Sequence, residues 1–192
     1  MLLAAALLLA LPAPAAPEAA SAERPMLDAF RSVCDKIDTL DGMKAAAVAD
    51  GWEQFHEREE PRIERLNTIG RDAIGSDGTA TGANYRRTIG DRRLFLLVTH
   101  YVDESGIWGN GCRMYHFDAA AGIPDSELEA WMARKPTGIQ DPGSQYGRRL
   151  LWEPGWRSGL TVEVTHVPAT SVYREQLGLS GNVLVAQALG GF

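Results

Sequence analysis

The sequence lacks the motifs that mark several common enzyme classes. It contains no Gly-x-Ser-x-Gly of serine hydrolases, no Gly-Lys-Ser/Thr of phosphate-binding loops, and neither His-x-His nor His-Glu-x-x-His. It has only two cysteines, Cys34 and Cys112, so a disulfide between them would leave no free thiol for catalysis. No internal repeat is visible. Motifs alone therefore indicate no reaction.

Positive charge is also scarce. Nineteen Lys and Arg stand against 25 Asp and Glu, which gives a net charge of -6 at pH 7. No cluster of basic residues offsets this balance, so we expect no binding of nucleic acid or of anionic membranes. Beyond the first residues no apolar run is long enough to span a bilayer, and the mature chain is predicted to have no transmembrane segment.

Residues 1–22 have the character of an export signal. The apolar run at residues 2–11 is too short to cross a membrane, and Ala20-Ser21-Ala22 is a small-residue cleavage site. The usual Lys or Arg before the apolar run is missing, and a genuine N-terminal helix remains the alternative. We predict a signal peptide cleaved after Ala22 and a single mature domain over residues 23–192, in the periplasm or secreted. Removal of Glu18 would change the net charge from -6 to -5.

Two cysteines in an exported chain most simply form one disulfide, Cys34–Cys112. In the chain-entropy model, closing so long a loop stabilises the fold by about 4.5 kcal/mol. Cys34 lies on the apolar stripe of a predicted helix at residues 25–37, which favours a structural bond over a reactive thiol. Two free buried thiols remain the alternative.

The order of predicted elements is typical of an α+β domain: an antiparallel β-sheet packed against N-terminal helices and one later helix. We expect residues 75–82 to form a flexible connection. Helices are predicted at residues 25–37, 39–50, 61–74 and 124–134, and strands at 84–89, 93–102, 112–117, 149–152, 160–167 and 182–189.

The chain is predicted to be organised around the hairpin that contains Cys112. If its connection centres near Ile107, Val102 lies opposite Cys112 and Val98 opposite His116. His100 and His116 would then be diagonal neighbours on paired strands.

Three histidines continue apolar faces near strand ends: His100, His116 and His166. Three imidazoles can hold a zinc ion with an open position for water, which would suit a metal-dependent hydrolase. The spacing is not diagnostic, and polar residues at the rim of a core are the alternative. We predict no other cofactor.

Two tryptophans, Trp108 and Trp156, fall in predicted turns. Tryptophan is enriched in interfaces, so both are candidates for partner binding, with packing on the core as the alternative. The charged run at residues 53–60 could bind a cation, but we expect a solvated face with His56 exposed.

The pattern Phe30-x3-Cys34, Gly51-Trp52 and Gly111-Cys112-Arg113-x-Tyr115 resembles that of uncharacterised exported proteins from proteobacteria. The resemblance covers residues 26–119 and implies export and a shared disulfide, without an activity. We therefore expect a binding or envelope-interaction module with an unknown protein or small-molecule ligand. The alternatives are a metal-dependent hydrolase and a small-molecule carrier whose ligand lies between sheet and helices.

Overall fold

The computed structural model describes residues 22–143 and 145–192. The predicted signal peptide, apart from Ala22, lies outside the described residues. Within the described part of the chain, no helix is long and apolar enough to cross a membrane.

Eight strands form one antiparallel sheet in the order β1-β2-β3-β4-β8-β7-β6-β5. Two meanders build it, one from each half of the chain, and they meet where β4 pairs with β8. The strands are β1 Glu53–Phe55, β2 Gly78–Ile89, β3 Arg92–Asp103, β4 Trp108–His116, β5 Gly138–Gln140, β6 Arg148–Trp152, β7 Thr161–Val167 and β8 Gly181–Gly190.

Helices cover both faces of the sheet. The first face carries the larger core, to which α1, α2 and α4 contribute buried side chains. The second face carries a smaller core that includes Ile63 of α3. The α+β prediction is confirmed. The helices are α1 Arg24–Cys34, α2 Leu40–Ala49, α3 Pro61–Ile74, α4 Asp125–Met132 and α5 Val172–Leu177.

The disulfide Cys34–Cys112 is present and lies in the first-face core. The apolar stripe of α1 explains its position, because Phe30, Val33 and Cys34 follow helical spacing and are all fully buried. Cys112 is on β4, and its side chain points to the same face. The bond therefore ties the first helix to the middle of the sheet.

The predicted register of the central hairpin is wrong. Val98, and not Val102, lies opposite Cys112, while Val102 lies opposite Trp108. The turn closes earlier than expected because Oδ1 of Asp103 accepts hydrogen bonds from the backbone N–H groups of Ser105 and Ile107, each at 2.9 Å. The register differs by four residues, an even number, so every side chain keeps the predicted face.

The connection predicted at residues 75–82 is also partly wrong, because β2 begins at Gly78. Residues 78–82 pair with residues 99–103 of β3, from Gly78 opposite Asp103 to Gly82 opposite Thr99. Glycine is needed at this position because a Cβ atom on Gly78 would overlap the ring of Tyr101. Because glycine is untypical of strands, the sequence pattern of residues 78–82 does not predict a strand, although glycine here permits close packing.

A candidate binding cleft between α3 and the sheet

Helix α3 packs closely on the second face only in its first half. Ile63 is fully buried, and the guanidinium of Arg62 lies 4.3 Å from the ring centre of Phe117. Further along the helix Ile69 is 37% exposed. The second half of α3 thus leaves a cleft of about 690 Å³ between helix and sheet.

One wall of the cleft is a stripe of α3 with regular helical spacing. Its members are Leu66, Ile69, Gly70, Ala73 and Ile74, at intervals of three, one, three and one residue. This spacing places all five on one side of the helix. Asn67 and Arg71 also line the cleft, so the wall is an apolar stripe with a polar margin.

The floor of the cleft is the second face of β2, β3 and β4. Side chains at alternate positions point to it, and they include Leu97, Thr99 and Tyr101 of β3. Gly82 lies opposite Thr99 on one side and Gly111 on the other. Neither glycine has a side chain, and the space over Gly111 is taken by the head of Arg113.

A polar network holds α3 to the sheet beside the cleft. Nδ2 of Asn67 donates hydrogen bonds to Oε2 of Glu57 at 2.7 Å and to Oδ1 of Asn84 at 3.1 Å. Arg71 donates to the same Glu57 oxygen at 3.0 Å. The hydrogen bond from Arg71, together with that from Asn67, holds the pKa of Glu57 below its ordinary value of 4.5 despite partial burial. The network thus fixes the position of the cleft wall.

Arg113 contributes a positive charge to the floor. It is partly buried, and its backbone lies between Leu97 on β3 and Val185 on β8. Its Nη1 donates a hydrogen bond to the hydroxyl oxygen of Thr99 at 3.2 Å. Within the described residues, no carboxylate forms an ion pair with Arg113. A guanidinium has five N–H donors, so most of its capacity remains for a ligand or water.

The charged run at residues 53–60, which precedes α3, was predicted to be a solvated face, and this is only partly correct. Glu60 is 6% exposed and pairs with Arg62 at 2.8 Å, and Glu57 belongs to the network described above. His56 is exposed, as expected, and its ring nitrogen accepts a hydrogen bond from the backbone N–H of Arg58. The run therefore attaches α3 to the sheet instead of only facing water.

The three candidate metal ligands do not meet. His116 and His166 lie on either side of Asn182, on β4 and β7, at one end of the first face. Their backbones are two strand spacings, about 10 Å, apart. His100 lies opposite Asn110, six residues from His116 and so about 20 Å along the strand. The predicted contact between His100 and His116 is wrong, because the hairpin register differs.

Two of the histidines are instead bonded to buried asparagines. Nδ1 of His100 lies 2.8 Å from Oδ1 of Asn110, and Nδ1 of His166 lies 3.0 Å from Oδ1 of Asn182. Both asparagines are 3% exposed. In residues 22–143 and 145–192, no group of three or more His, Cys, Asp or Glu side chains could hold a metal ion. The geometric basis of the zinc hypothesis is therefore lost.

The two candidate tryptophans pack against the protein itself. Trp156 meets the ring of Phe30 edge-on at 6.1 Å and that of Trp131 at 5.7 Å, and its indole N–H donates to Asp35 at 3.0 Å. Trp108 lies over Gly190, where an added Cβ would overlap its ring. Both rings are half-buried against the first-face core. Partner binding through them stays a prediction.

The sequence predicts the helix and the strands that form the cleft, but it does not predict the cleft. The stripe of residues 61–74 was recognised as apolar, but periodicity does not show that half of it remains uncovered. Arg113 appeared only as part of a resemblance. The usable signal was Gly70 within an otherwise apolar stripe, because a glycine inside a helix costs stability and often has a packing reason.

Comparisons with protein-family models, with curated proteins and with solved structures found no match to this chain. The resemblance to uncharacterised exported proteins from proteobacteria therefore stays a prediction.

Proposed function

We propose that the protein is an exported binding module that holds a small apolar molecule in the cleft between α3 and the sheet. The observation that carries the proposal is the cleft itself. Its volume of about 690 Å³ falls within the range of roughly 300–1,000 Å³ that is typical of small-molecule sites. It combines an apolar stripe on the helix wall with polar side chains on the floor, and such sites use polar groups to orient the ligand.

The state of the helix wall supports this function. Ile69 faces the cleft and is 37% exposed, although an apolar stripe of this kind ordinarily packs on a core. A ligand in the cleft would cover this stripe and remove apolar surface from water. The network of Asn67 with Glu57 and Asn84 fixes the helix on one side, so the wall is formed before a ligand arrives.

Export is the second part of the proposal. The pattern of residues 1–22 and the Cys34–Cys112 disulfide both support it, because such bonds persist in oxidising compartments. After expression of the full chain in a bacterium, we expect the protein in the periplasmic fraction with a mass that corresponds to a chain beginning at Glu23. A cytoplasmic protein that retains residues 1–22 would contradict this part.

The binding proposal is tested with N-phenyl-1-naphthylamine, a neutral apolar fluorophore. We expect saturable binding to the wild-type protein with one site. Gly70 lies on the cleft wall, and a Cβ added there meets nothing within 4 Å. Gly70→Trp should therefore fill the cleft without disturbing the backbone and abolish binding, and Ala73→Trp should act in the same way.

Two control variants distinguish filling of the cleft from damage to the fold. Gly70→Ala should retain binding and stabilise α3 by about 1 kcal/mol, since alanine is the better helix former. Val48→Trp adds the same side chain to α2 at an exposed position outside the cleft, and it should bind as the wild type does. Binding that persists in both cleft-filling variants, or no binding to the wild type, would overturn the proposal.

A further inference from the structure

We infer that the ligand of the cleft carries one anionic group, a carboxylate or sulfonate, that binds to Arg113 while its apolar body lies along α3. The inference rests on the proposed function and adds the chemical class of the ligand. Arg113 and Thr99 are on the floor, and the apolar stripe of α3 is on the wall.

The charge of Arg113 is not balanced by a carboxylate. Other arginines near the cleft are neutralised: Arg71 pairs with Glu57 at 3.0 Å, and Arg86 pairs with Glu53 and Glu59. In the described part of the chain no carboxylate pairs with Arg113. A partly buried arginine attracts an anion strongly because its planar fork can form two parallel hydrogen bonds to a carboxylate or sulfonate.

The guanidinium of Arg113 is held in a defined position. A Cβ atom added to Gly111 would be 2.5 Å from Nη1 of Arg113 and 2.7 Å from the Thr99 hydroxyl oxygen. The head of Arg113 therefore lies over Gly111, where a larger residue would displace it. Its hydrogen bond to Thr99 holds Nη1 in that place and leaves the other donors free.

The acidic groups that line the cleft are balanced or distant. The charge of Glu57 is balanced by Arg71. Asp77 precedes β2, five residues before Gly82, which is in line with Thr99 and Gly111 across the sheet. The guanidinium lies over Gly111, and five strand positions correspond to about 17 Å, so Asp77 is remote from it. The positive charge therefore dominates the floor near Arg113.

The experiment compares two fluorophores that differ by one group. 8-Anilinonaphthalene-1-sulfonate is N-phenyl-1-naphthylamine with an added sulfonate. We expect the wild type to bind the sulfonate at least about tenfold more tightly than the neutral compound, because hydrogen bonds to charged groups are the stronger ones. Arg113→Met should remove this preference, so that the two compounds bind with about equal affinity.

Two further variants test the geometry. Arg113→Lys keeps the charge without the planar fork and should retain only part of the preference. Gly111→Ala should also reduce the preference, because the guanidinium must move. Each variant is checked for an unchanged unfolding midpoint in urea.

The two proposals fail in different ways. Equal affinity of the wild type for both fluorophores would refute the anionic ligand, as would an equal loss of affinity for both in Arg113→Met. Either result would leave the cleft intact as a binding site. If Gly70→Trp binds the sulfonate as tightly as the wild type does, the probe binds outside the cleft. That result would overturn both proposals.

Discussion

The Cα atoms of Cys34 and Cys112 lie 5.6 Å apart, and the disulfide between them joins α1 to β4 across the first-face core. Both side chains are fully buried. The two residues are 78 positions apart in sequence, so the bond closes a long loop.

We predict that the double variant Cys34→Ala with Cys112→Ala loses about 2–5 kcal/mol of unfolding free energy, because the unfolded chain gains the freedom that the closed loop denied it. Urea unfolding measures the difference. Wild-type protein treated with reductant before unfolding is the control and should fall to a similar stability. An unfolding midpoint that neither treatment changes would contradict the prediction.

Glu57 makes stability depend on pH in the acid range. Its pKa lies below the ordinary 4.5 because of the hydrogen bonds from Arg71 and Asn67. A lowered carboxyl pKa contributes stability that is complete above the unfolded value and is lost as the pH falls through the folded value. We predict that Glu57→Gln lowers stability at pH 7 by about 1 kcal/mol or less, as for a partly exposed ion pair.

Urea unfolding between about pH 6 and pH 3 measures this dependence, and Glu57→Gln should show a shallower decline than the wild type. Glu104→Gln is the control, since Glu104 is exposed in the turn between β3 and β4. Parallel curves for Glu57→Gln and the wild type would show that the hydrogen bonds of Glu57 do not contribute to the pH dependence of stability.

His116 acts in a higher pH range, where folding favours the neutral form of its ring. Burial lowers its pKa below the ordinary 6.5, and the positive charge of Arg92 lowers it further, while Glu23, Asp118 and Asp91 oppose the shift without cancelling it. Among the residues that the structure describes, its Nδ1 has no hydrogen-bond partner. Because the unfolded chain binds the proton more readily, stability should fall as the pH drops below 6.5 and approaches the folded pKa.

We therefore predict that His116→Gln loses less stability than the wild type between about pH 7.5 and pH 5.5, as measured by urea unfolding. His56→Asn is the control, because His56 is exposed and asparagine can replace its ring nitrogen as a helix cap. If His116→Gln and the wild type decline in parallel, His116 does not couple folding to pH.

A substitution at Trp156 tests whether its ring packs on the core or binds a partner. Its ring contacts Phe30 and Trp131, and its N–H bonds to Asp35. We predict that Trp156→Ala lowers the unfolding free energy by about 2–4 kcal/mol, somewhat less than a fully buried tryptophan. Trp156→Phe should recover part of this loss. A Trp156→Ala variant as stable as the wild type would instead favour a ring displayed to a partner.

Local patterns in the sequence determined much of the fold. The stripe of α1 required a partner surface, and this predicted both the helix and the inward direction of Cys34, which the structure confirms. Alternation in β7 likewise predicted its buried side, including Val162 and Val164. These features depend on residues close in sequence, for which helical and strand periodicity is a direct physical signal.

Only the tertiary structure decided the rest. The register of β3 against β4 depended on the side chain of Asp103, and the cleft depended on where α3 leaves the sheet. Within the described residues, no carboxylate forms an ion pair with Arg113. This depends on the order of the eight strands in the sheet, which no local sequence pattern predicts. The sequence thus determined the elements and their faces, whereas long-range packing decided which polar groups met, because those contacts join residues far apart along the chain.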